Sequence, residues 1–259
     1  MKGAGARVWG LGIVALGLVG LAFGDFEGGQ EAPAQLPYRA LLALAANIFL
    51  VAAGACVQWR QTRSLAAGAL VAYWLIVVTA LMAGRVVLAH PKVFGAYSGL
   101  AEVAAVGTAG LIVWAESRTK GGDRVALVRG AQVGFGVCAI LFGIAHFAYM
   151  NLTAPLVPRW LPPSGVFWGY ATGVAQILAG VAIATGLMGR LAAVLLTIMY
   201  VSFTLLVHLP LLMGAPSKVF FWSENALNLT LIGVAWVVAQ SFGRTRTAAY
   251  RMGVPPVTG

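Results

Sequence analysis

The sequence predicts an all-α membrane protein of about eight transmembrane helices, arranged as two parallel four-helix repeats with both termini in the cytoplasm. Three observations predict this fold: the composition, the number of long apolar stretches, and a repeat of the chain at a constant offset. Of the 259 residues, 60% are hydrophobic and only 9% are charged, whereas soluble domains are about 45–50% apolar. This composition therefore excludes an ordinary water-soluble domain.

Eight stretches of the chain are long and apolar enough to cross a bilayer, which takes about 20 residues per helix. Helices satisfy their own backbone polar groups and are the simplest spanning elements. In chain order the predicted spans are Val8–Gly24, Tyr38–Trp59, Leu65–His90, Ser98–Ser117, Arg129–Tyr149, Phe167–Met188, Leu191–Leu209 and Glu224–Ser241. The longest connections, Asp25–Pro37 and Met150–Val166, are too short to form a soluble domain.

The distribution of positive charge predicts the topology. Of the 17 Lys and Arg side chains, twelve fall on the side that holds the N-terminus and five on the opposite side. Cytoplasmic loops carry the excess of Lys and Arg, so both termini and the loop around Gly121 are expected in the cytoplasm. The net charge of +10 therefore indicates topology, and no nucleic-acid partner is expected. A bacterial inner (plasma) membrane is the expected location.

The second half of the chain repeats the first at an offset of 126 residues. Lys92-Val93-Phe94 aligns with Lys218-Val219-Phe220, and Gly54 aligns with Gly180. Since four helices are an even number, both halves enter the membrane from the same side, which makes the repeat parallel. We therefore predict repeats over residues 1–120 and 121–243, followed by a cytoplasmic tail over residues 244–259.

Ionisable side chains inside the spans are candidates for function, because charged groups are costly in a bilayer. Six such residues fall at the predicted outer ends of the spans: Arg85, His90, Glu102, His146, His208 and Glu224. Side chains at span ends also reach headgroups and water at little cost, so simple snorkelling is an alternative explanation for each.

Spacing groups these residues into one candidate site per half. Glu224 and Asn228 are four residues apart and share a helical face, and Glu102 aligns with Asn228. We predict that Arg85 neutralises Glu102 in the first half. In the second half, His146 and His208 are expected to converge with Glu224 and Asn228, with the loop 158–163 nearby.

The second half, residues 133–241, resembles the DoxX family of small four-helix bacterial membrane proteins. The resemblance rests on Phe142-Gly143-Ile144-Ala145-His146-Phe147, the loop Val157-Pro158-Arg159-Trp160-Leu161-Pro162, Gly173 to Gly180, and Gly186 followed by Arg190-Leu191-Ala192-Ala193. The family often has Glu where Gln176 stands, and the first half has Gly20 where His146 stands. Relatives include DoxD-type subunits of thiosulfate:quinone oxidoreductases and membrane partners in redox-stress complexes.

The first functional hypothesis is a subunit of a membrane redox complex that binds a quinone headgroup with the His/Glu cluster. An imidazole can donate to a quinone carbonyl, and a carboxylate can carry the accompanying proton. Arg159 and Gln176 are further candidates, and Trp160 with its neighbouring prolines is expected to form a lid. We expect no haem, because Gly20 and Met82 align with His146 and His208 and supply no second histidine pair. We expect no metal either, because Cys56 and Cys138 lie inside apolar spans without CxxC spacing.

Two alternatives stay open at this point. An accessory or assembly subunit would pack against other membrane proteins and bind lipid, which fits the absence of any cofactor fingerprint and the short connections. A small-solute transporter would use a parallel repeat with polar groups near the bilayer centre. The deeper polar candidates for transport are Asn47, Gln176 and Thr197, and such uncharged groups more often join helices.

Overall fold

A computed structural model describes residues 3–27 and 29–243 in full and the helical backbone as far as Arg251. This part of the chain contains eight helices long and apolar enough to cross a membrane, which confirms the predicted membrane class and the number of spans. They are α1 (Ala4–Phe23), α2 (Arg39–Cys56), α3 (Arg63–Ala89), α4 (Phe94–Arg118), α5 (Gly121–Ala148), α6 (Gly165–Thr185), α7 (Gly189–Gly214) and α8 (Val219–Arg251). The predicted tail begins within α8, and residues 252–259 lie outside the described part.

Local sequence signals explain several helix ends. Gly24 (φ 74°) and Gly186 (φ 88°) end α1 and α6 in the left-handed conformation that glycine adopts without steric cost. The Ser164 hydroxyl accepts a hydrogen bond from the Phe167 N–H at 3.1 Å and caps the start of α6. These caps place the connecting loops directly at the helix ends.

Two helices contain π-helical segments, Ala72–Ala83 in α3 and Thr204–His208 in α7. A wider turn leaves carbonyl groups without their usual partners, and these need other donors inside a membrane. Asn228 on α8 donates to Tyr200 O at 2.7 Å, and Asn225 donates to His208 O at 2.9 Å. The α7 distortion is therefore held at both ends by side chains of α8.

The helices form two lobes that share α4 and α8. The first and fourth helices of each half barely touch; instead α1 packs along α8, α5 packs along α4, and α4 contacts α8. The N lobe is thus a ring of α1, α2, α3 and α4 closed by α8, and the C lobe is a ring of α5, α6, α7 and α8 closed by α4. The helices α4 and α8 bury the largest share of their spanning segments.

The first two helices of each half pack in the same register. A β-carbon on Gly54 would lie 2.7 Å from Gly10 O, and one on Gly180 would lie 2.5 Å from Gly136 O. Both glycine pairs are separated by the offset of 126 residues. Small residues therefore bring the backbones of α1 and α2, and of α5 and α6, into direct contact.

The interior of the N lobe is filled by apolar side chains. Leu16, Leu50 and Trp74 are each at most 1% exposed. The loop 24–38 closes the lobe at one end, where Asn47 Nδ2 donates to Asp25 O at 2.8 Å. The end of the bundle that carries the loops 24–38, 90–93, 149–164 and 215–218 is called the loop end below.

Candidate functional site

The interior of the C lobe holds a cavity of about 180 Å³ toward the loop end, and all five helices of the ring contribute side chains to it. We call it the polar cavity. Its polar lining residues are Ser98, Glu102, His146, Gln176, Tyr200, His208, Glu224 and Asn228. The candidate residues His146, Gln176, His208, Glu224 and Asn228 are thus brought together, and Glu102 from the first half joins them.

A larger and mostly apolar cavity of about 580 Å³ adjoins the polar one between α6 and α7. We call it the apolar cleft. His146, Phe203 and His208 line both spaces, so the two are neighbours. Pro158 and Leu161 of the loop cover the cleft, and the exposed side chain of Leu156 lies on its rim. The cleft therefore gives the polar cavity an apolar approach from the outside of the bundle.

The hydrogen bonds of His146 define its protonation. Thr172 Oγ1 donates to Trp168 O at 2.7 Å, so it accepts from His146 Nδ1, which lies 2.9 Å away. The Gln176 amide nitrogen donates to His146 Nε2 at 3.1 Å. The proton is thus on Nδ1 and the imidazole is neutral. Its ring stacks on Phe203 with the centroids 6.2 Å apart.

Two buried polar atoms of the cavity have no partner. Gln176 is 2% exposed and Tyr200 is 3% exposed, yet neither Gln176 Oε1 nor the Tyr200 hydroxyl makes a hydrogen bond. Buried polar groups are nearly always paired with protein or ordered water, and an orphaned one needs an explanation. Both residues line the polar cavity. These two atoms therefore leave a hydrogen-bond acceptor and a hydroxyl group available inside the cavity.

The remaining members of the cluster have different surroundings. Asn228 uses its amide protons on Tyr200 O at 2.7 Å and on Thr204 Oγ1 at 2.6 Å, so it holds the distorted part of α7. His208 and Glu224 line the cavity. Within the described part of the chain, no hydrogen bond joins Glu224 to either histidine.

The predicted pairing of Arg85 with Glu102 does not occur. Arg85 is exposed at the end of α3 and its Nη2 donates to Glu31 O at 3.2 Å, whereas Glu102 lines the polar cavity. The prediction failed because α4 turns Glu102 toward α8 and the C lobe. The loop 24–38 takes up the guanidinium instead.

The lid residues are also distributed differently from the prediction. Trp160 is 71% exposed, Arg159 is exposed as well, and neither side chain lines the polar cavity or the apolar cleft. Trp168 lines the cleft, and its Nε1 donates to Pro162 O at 2.9 Å. Pro158 does line the cleft, but the indole that fixes this loop belongs to Trp168 of α6.

Sequence reasoning missed Glu27, which lies in the loop 24–38 and is only 2% exposed. Burial raises the pKa of Glu27 to about 7, the nearby Glu224 carboxylate also raises it, and the hydrogen bond from the Gly29 N–H at 3.0 Å opposes both effects. No local pattern marks this residue, because short loops are normally solvated. Tyr200 was missed too, although it aligns with Trp74 in an otherwise aliphatic stretch.

No set of three or more His, Cys, Asp or Glu side chains has the geometry of a metal site in residues 3–27 and 29–243. The arrangement is that of a binding site with polar groups at its inner end and an apolar cleft leading to it. Such a site can hold an amphipathic molecule with a compact polar head.

Comparison with known proteins gives one match. A family model described as a domain of unknown function (DUF8561) matches residues 135–239. No curated protein and no solved structure matches the chain. The matched region runs from α5 to α8 and contains every residue that the second half contributes to the polar cavity, whereas Ser98 and Glu102 lie outside it.

Proposed function

We propose that this protein is a membrane subunit of a redox complex in the bacterial inner membrane and that its C lobe binds a quinone. The observation that carries the proposal is the junction of the polar cavity and the apolar cleft at His146, Phe203 and His208. A quinone combines a polar ring with a long apolar tail. One molecule could therefore use both spaces.

The residues present suit such a ligand. The Tyr200 hydroxyl can donate to a carbonyl oxygen, and it has no other partner. Phe203 and His146 offer stacked ring faces beside the polar groups. The cleft of about 580 Å³ lies within the range of roughly 300–1,000 Å³ that is usual for small-molecule sites.

In this proposal a partner subunit supplies the electrons. The resemblance of residues 133–241 to the DoxX family, with its DoxD-type quinone oxidoreductase subunits, supports the assignment to a redox complex. The role of this chain would be to bind and orient the quinone at the membrane surface. His208 and Glu224 would then be positioned to exchange a proton with it.

We also infer that the two halves, residues 1–120 and 121–243, arose by duplication and run parallel, with both termini in the cytoplasm. The equal register of the glycine contacts in α1–α2 and α5–α6 supports the duplication. The charge asymmetry of the loops supports the topology. A cysteine introduced at Gly121 should resist an impermeant thiol reagent added from outside, and labelling there would reverse the assignment.

An accessory subunit that binds lipid is the second candidate, because the apolar cleft also fits an acyl chain. Transport has less support. Asn47 Nδ2 donates to Asp25 O and Thr197 Oγ1 donates to Ala193 O, each at 2.8 Å. Two of the three deeper polar candidates are therefore already bonded to backbone carbonyls.

Quinone content tests the proposal directly. The protein would be purified from native membranes in mild detergent, extracted with organic solvent and assayed for quinone and phospholipid by chromatography. We expect quinone in a near-stoichiometric amount, and a loss of about tenfold, equivalent to about 1.4 kcal/mol, in Gln176→Leu and Tyr200→Phe. Thr197→Val serves as the control and should keep its quinone. Retained lipid without quinone would support the accessory subunit instead.

A further inference from the structure

Another cavity, of about 370 Å³, lies in the N lobe at the end of the bundle opposite to the loop end. We call it the basic cavity. Helices α1, α3, α4 and α8 contribute to it, and its wall includes the buried apolar side chains of Ala6, Val113 and Val237. Its polar lining residues are Arg60, Arg63, Ser64, Glu116, Ser117 and Gln240. The proposed quinone site shares no residue with this cavity.

Two arginines line the basic cavity in different ways. Arg63 Nε donates to Val57 O at 2.8 Å and its Nη2 donates to Gln58 O at 3.2 Å, which fixes the guanidinium at the end of α2. A backbone carbonyl does not neutralise a guanidinium, so Arg63 keeps its positive charge. The Arg60 side chain is exposed, and within residues 3–27 and 29–243 no hydrogen bond or ion pair engages it. The Arg60 guanidinium is therefore available to a ligand at the mouth of the cavity.

The charge around the basic cavity favours an anion. Arg118 Nε donates to Ser64 Oγ, which brings a third guanidinium to the rim of the cavity. Glu116 is the one acidic side chain among the lining residues. The sequence places twelve of the 17 Lys and Arg residues at this end of the bundle, but only two of the seven acidic residues, Glu116 and Asp123. An anion that approaches this end therefore meets a positive potential.

The aligned place in the C lobe is filled by an aromatic ring. Gly189 aligns with Arg63 and Phe242 aligns with Glu116, and a β-carbon on Gly189 would overlap the Phe242 ring. The arginine that donates to the carbonyls at the end of α6 is Arg129 of α5. The same arrangement of helices is thus closed by Phe242 in the C lobe and lined by charged groups in the N lobe. The basic cavity is therefore a property of the N-lobe side chains and is not imposed by helix packing.

Two side chains next to the lining residues mark the bilayer surface at this end. Trp59, which precedes Arg60, is 59% exposed, and Leu65, which follows Ser64, is 72% exposed. Tryptophan is enriched where the membrane meets water, and an exposed leucine on a spanning helix faces acyl chains. The mouth of the basic cavity therefore lies at the level of the lipid headgroups.

We infer that the basic cavity binds the phosphate group of an anionic phospholipid from the leaflet at this end of the bundle. The fork of a guanidinium matches the oxygens of a phosphate, and basic pockets between spanning helices suit anionic headgroups. The apolar wall formed by Ala6, Val113 and Val237 suits the glycerol part of the lipid. This inference is independent of the quinone site, and only the naming of the leaflet as cytoplasmic rests on the proposed topology.

The test compares three probes on the whole protein, delipidated in mild detergent. They are phosphatidylglycerol, which is anionic, phosphatidylcholine with the same acyl chains, which is zwitterionic, and inorganic phosphate. Native mass spectrometry over a titration series gives the bound fraction and a dissociation constant for each probe. We expect one phosphatidylglycerol to bind at least about tenfold more tightly than phosphatidylcholine or inorganic phosphate.

Variants locate the bound lipid. Arg60→Gln should reduce the preference for phosphatidylglycerol by about fivefold, because it removes one charge at the mouth of the cavity. Arg190→Gln is the matched control and should keep the preference, since Arg190 is exposed at the start of α7, at the same end of the bundle but outside the cavity. Glu116→Gln should strengthen the binding of phosphatidylglycerol, because it removes the acidic side chain from the lining. Melting temperature and elution volume verify that each variant is folded.

Three results would overturn the inference. Equal binding of phosphatidylglycerol and phosphatidylcholine would show that the cavity does not recognise an anionic lipid. An equal loss in Arg60→Gln and Arg190→Gln would show that the charge of the whole surface attracts the lipid and that the cavity does not hold it. Binding of inorganic phosphate as tightly as phosphatidylglycerol would identify a site for free phosphate instead of a lipid site.

Discussion

The N lobe and the C lobe are each a ring of five helices, but they differ in what lies inside the ring. In the N lobe, Leu50 and Trp74 fill the interior; in the C lobe, the residues at the aligned positions are Gln176 and Tyr200, which border a cavity of about 180 Å³. One arrangement of helices thus yields a packed core or a polar cavity. A few side chains at equivalent positions decide between the two outcomes.

The two lobes also differ in which helix carries the polar side chain at the contact between the first two helices of each half. In the N lobe Gly20 packs against Asn47, and in the C lobe His146 packs against Gly173. The aligned positions therefore each hold one glycine and one larger polar residue, with the glycine on the opposite helix. The space between the helices admits only one large side chain, so each lobe places its polar group on a different helix.

Moving the histidine into the N lobe should have the largest effect. A β-carbon at Gly20 would overlap the Asn47 side chain, so Gly20→His should lower the unfolding free energy by about 3 kcal/mol or more. The double variant Gly20→His/Asn47→Gly recreates the pair of the C lobe and should recover most of the loss. Thermal unfolding in detergent measures both. A double variant no more stable than the single one would break the equivalence of the lobes.

Glu27, in the loop 24–38 that closes the N lobe, should make the free energy of unfolding depend on pH. The pKa of Glu27 is about 7 in the fold, above its ordinary 4.5, so the folded state holds this proton more tightly. The stabilisation that protonated Glu27 contributes to the free energy of unfolding is fully present below about pH 4.5. It is lost as the pH rises through 7, which is a change of about 3 kcal/mol. Glu27→Gln should remove this dependence and raise the melting temperature at pH 8. Thr197→Val on α7, where Thr197 Oγ1 donates to Ala193 O, provides the control and should keep the pH dependence of the parent protein.

The glycine contacts should be equally sensitive in the two lobes. Gly54→Ala and Gly180→Ala place a methyl group 2.7 Å and 2.5 Å from a backbone carbonyl, and each should cost about 1–3 kcal/mol. The matched control is Gly130→Ala, whose β-carbon meets nothing within 4 Å and which should gain about 0.5–1 kcal/mol. Unfolding by denaturant compares the three. A loss of unfolding free energy in only one of the two variants would contradict the equal packing register of α1–α2 and α5–α6.

The surface ion pair of the N-lobe loop should have the smallest effect. Arg39 Nε lies 3.0 Å from Asp25 Oδ1, and Arg39 lowers the pKa of this half-exposed carboxyl group. Exposed pairs contribute up to about 1 kcal/mol, so Asp25→Asn should change the melting temperature little. Arg39→Ala should cost more, because Arg39 Nη1 also donates to Ala32 O and Pro33 O. Equal effects of the two variants would show that the ion pair dominates.

Part of the site followed from the sequence. His146, His208 and Glu224 were predicted to converge because all three fall at one end of their spans, and they line one cavity. The partners of Arg85 and the lid role of Trp160 were not predictable in the same way. Both depend on the paths of the loops 24–38 and 149–164, which follow contacts between distant segments.

The sequence by itself determined the membrane class, the eight spans and their approximate ends, because hydropathy and capping act over one or two helical turns. Only the tertiary structure decided that α4 and α8 belong to both lobes and that Glu27 is buried against α8. It also decided the π-helical segment of α7, which depends on hydrogen bonds from Asn225 and Asn228. These features arise from pairings between segments far apart in the chain, which no local pattern records.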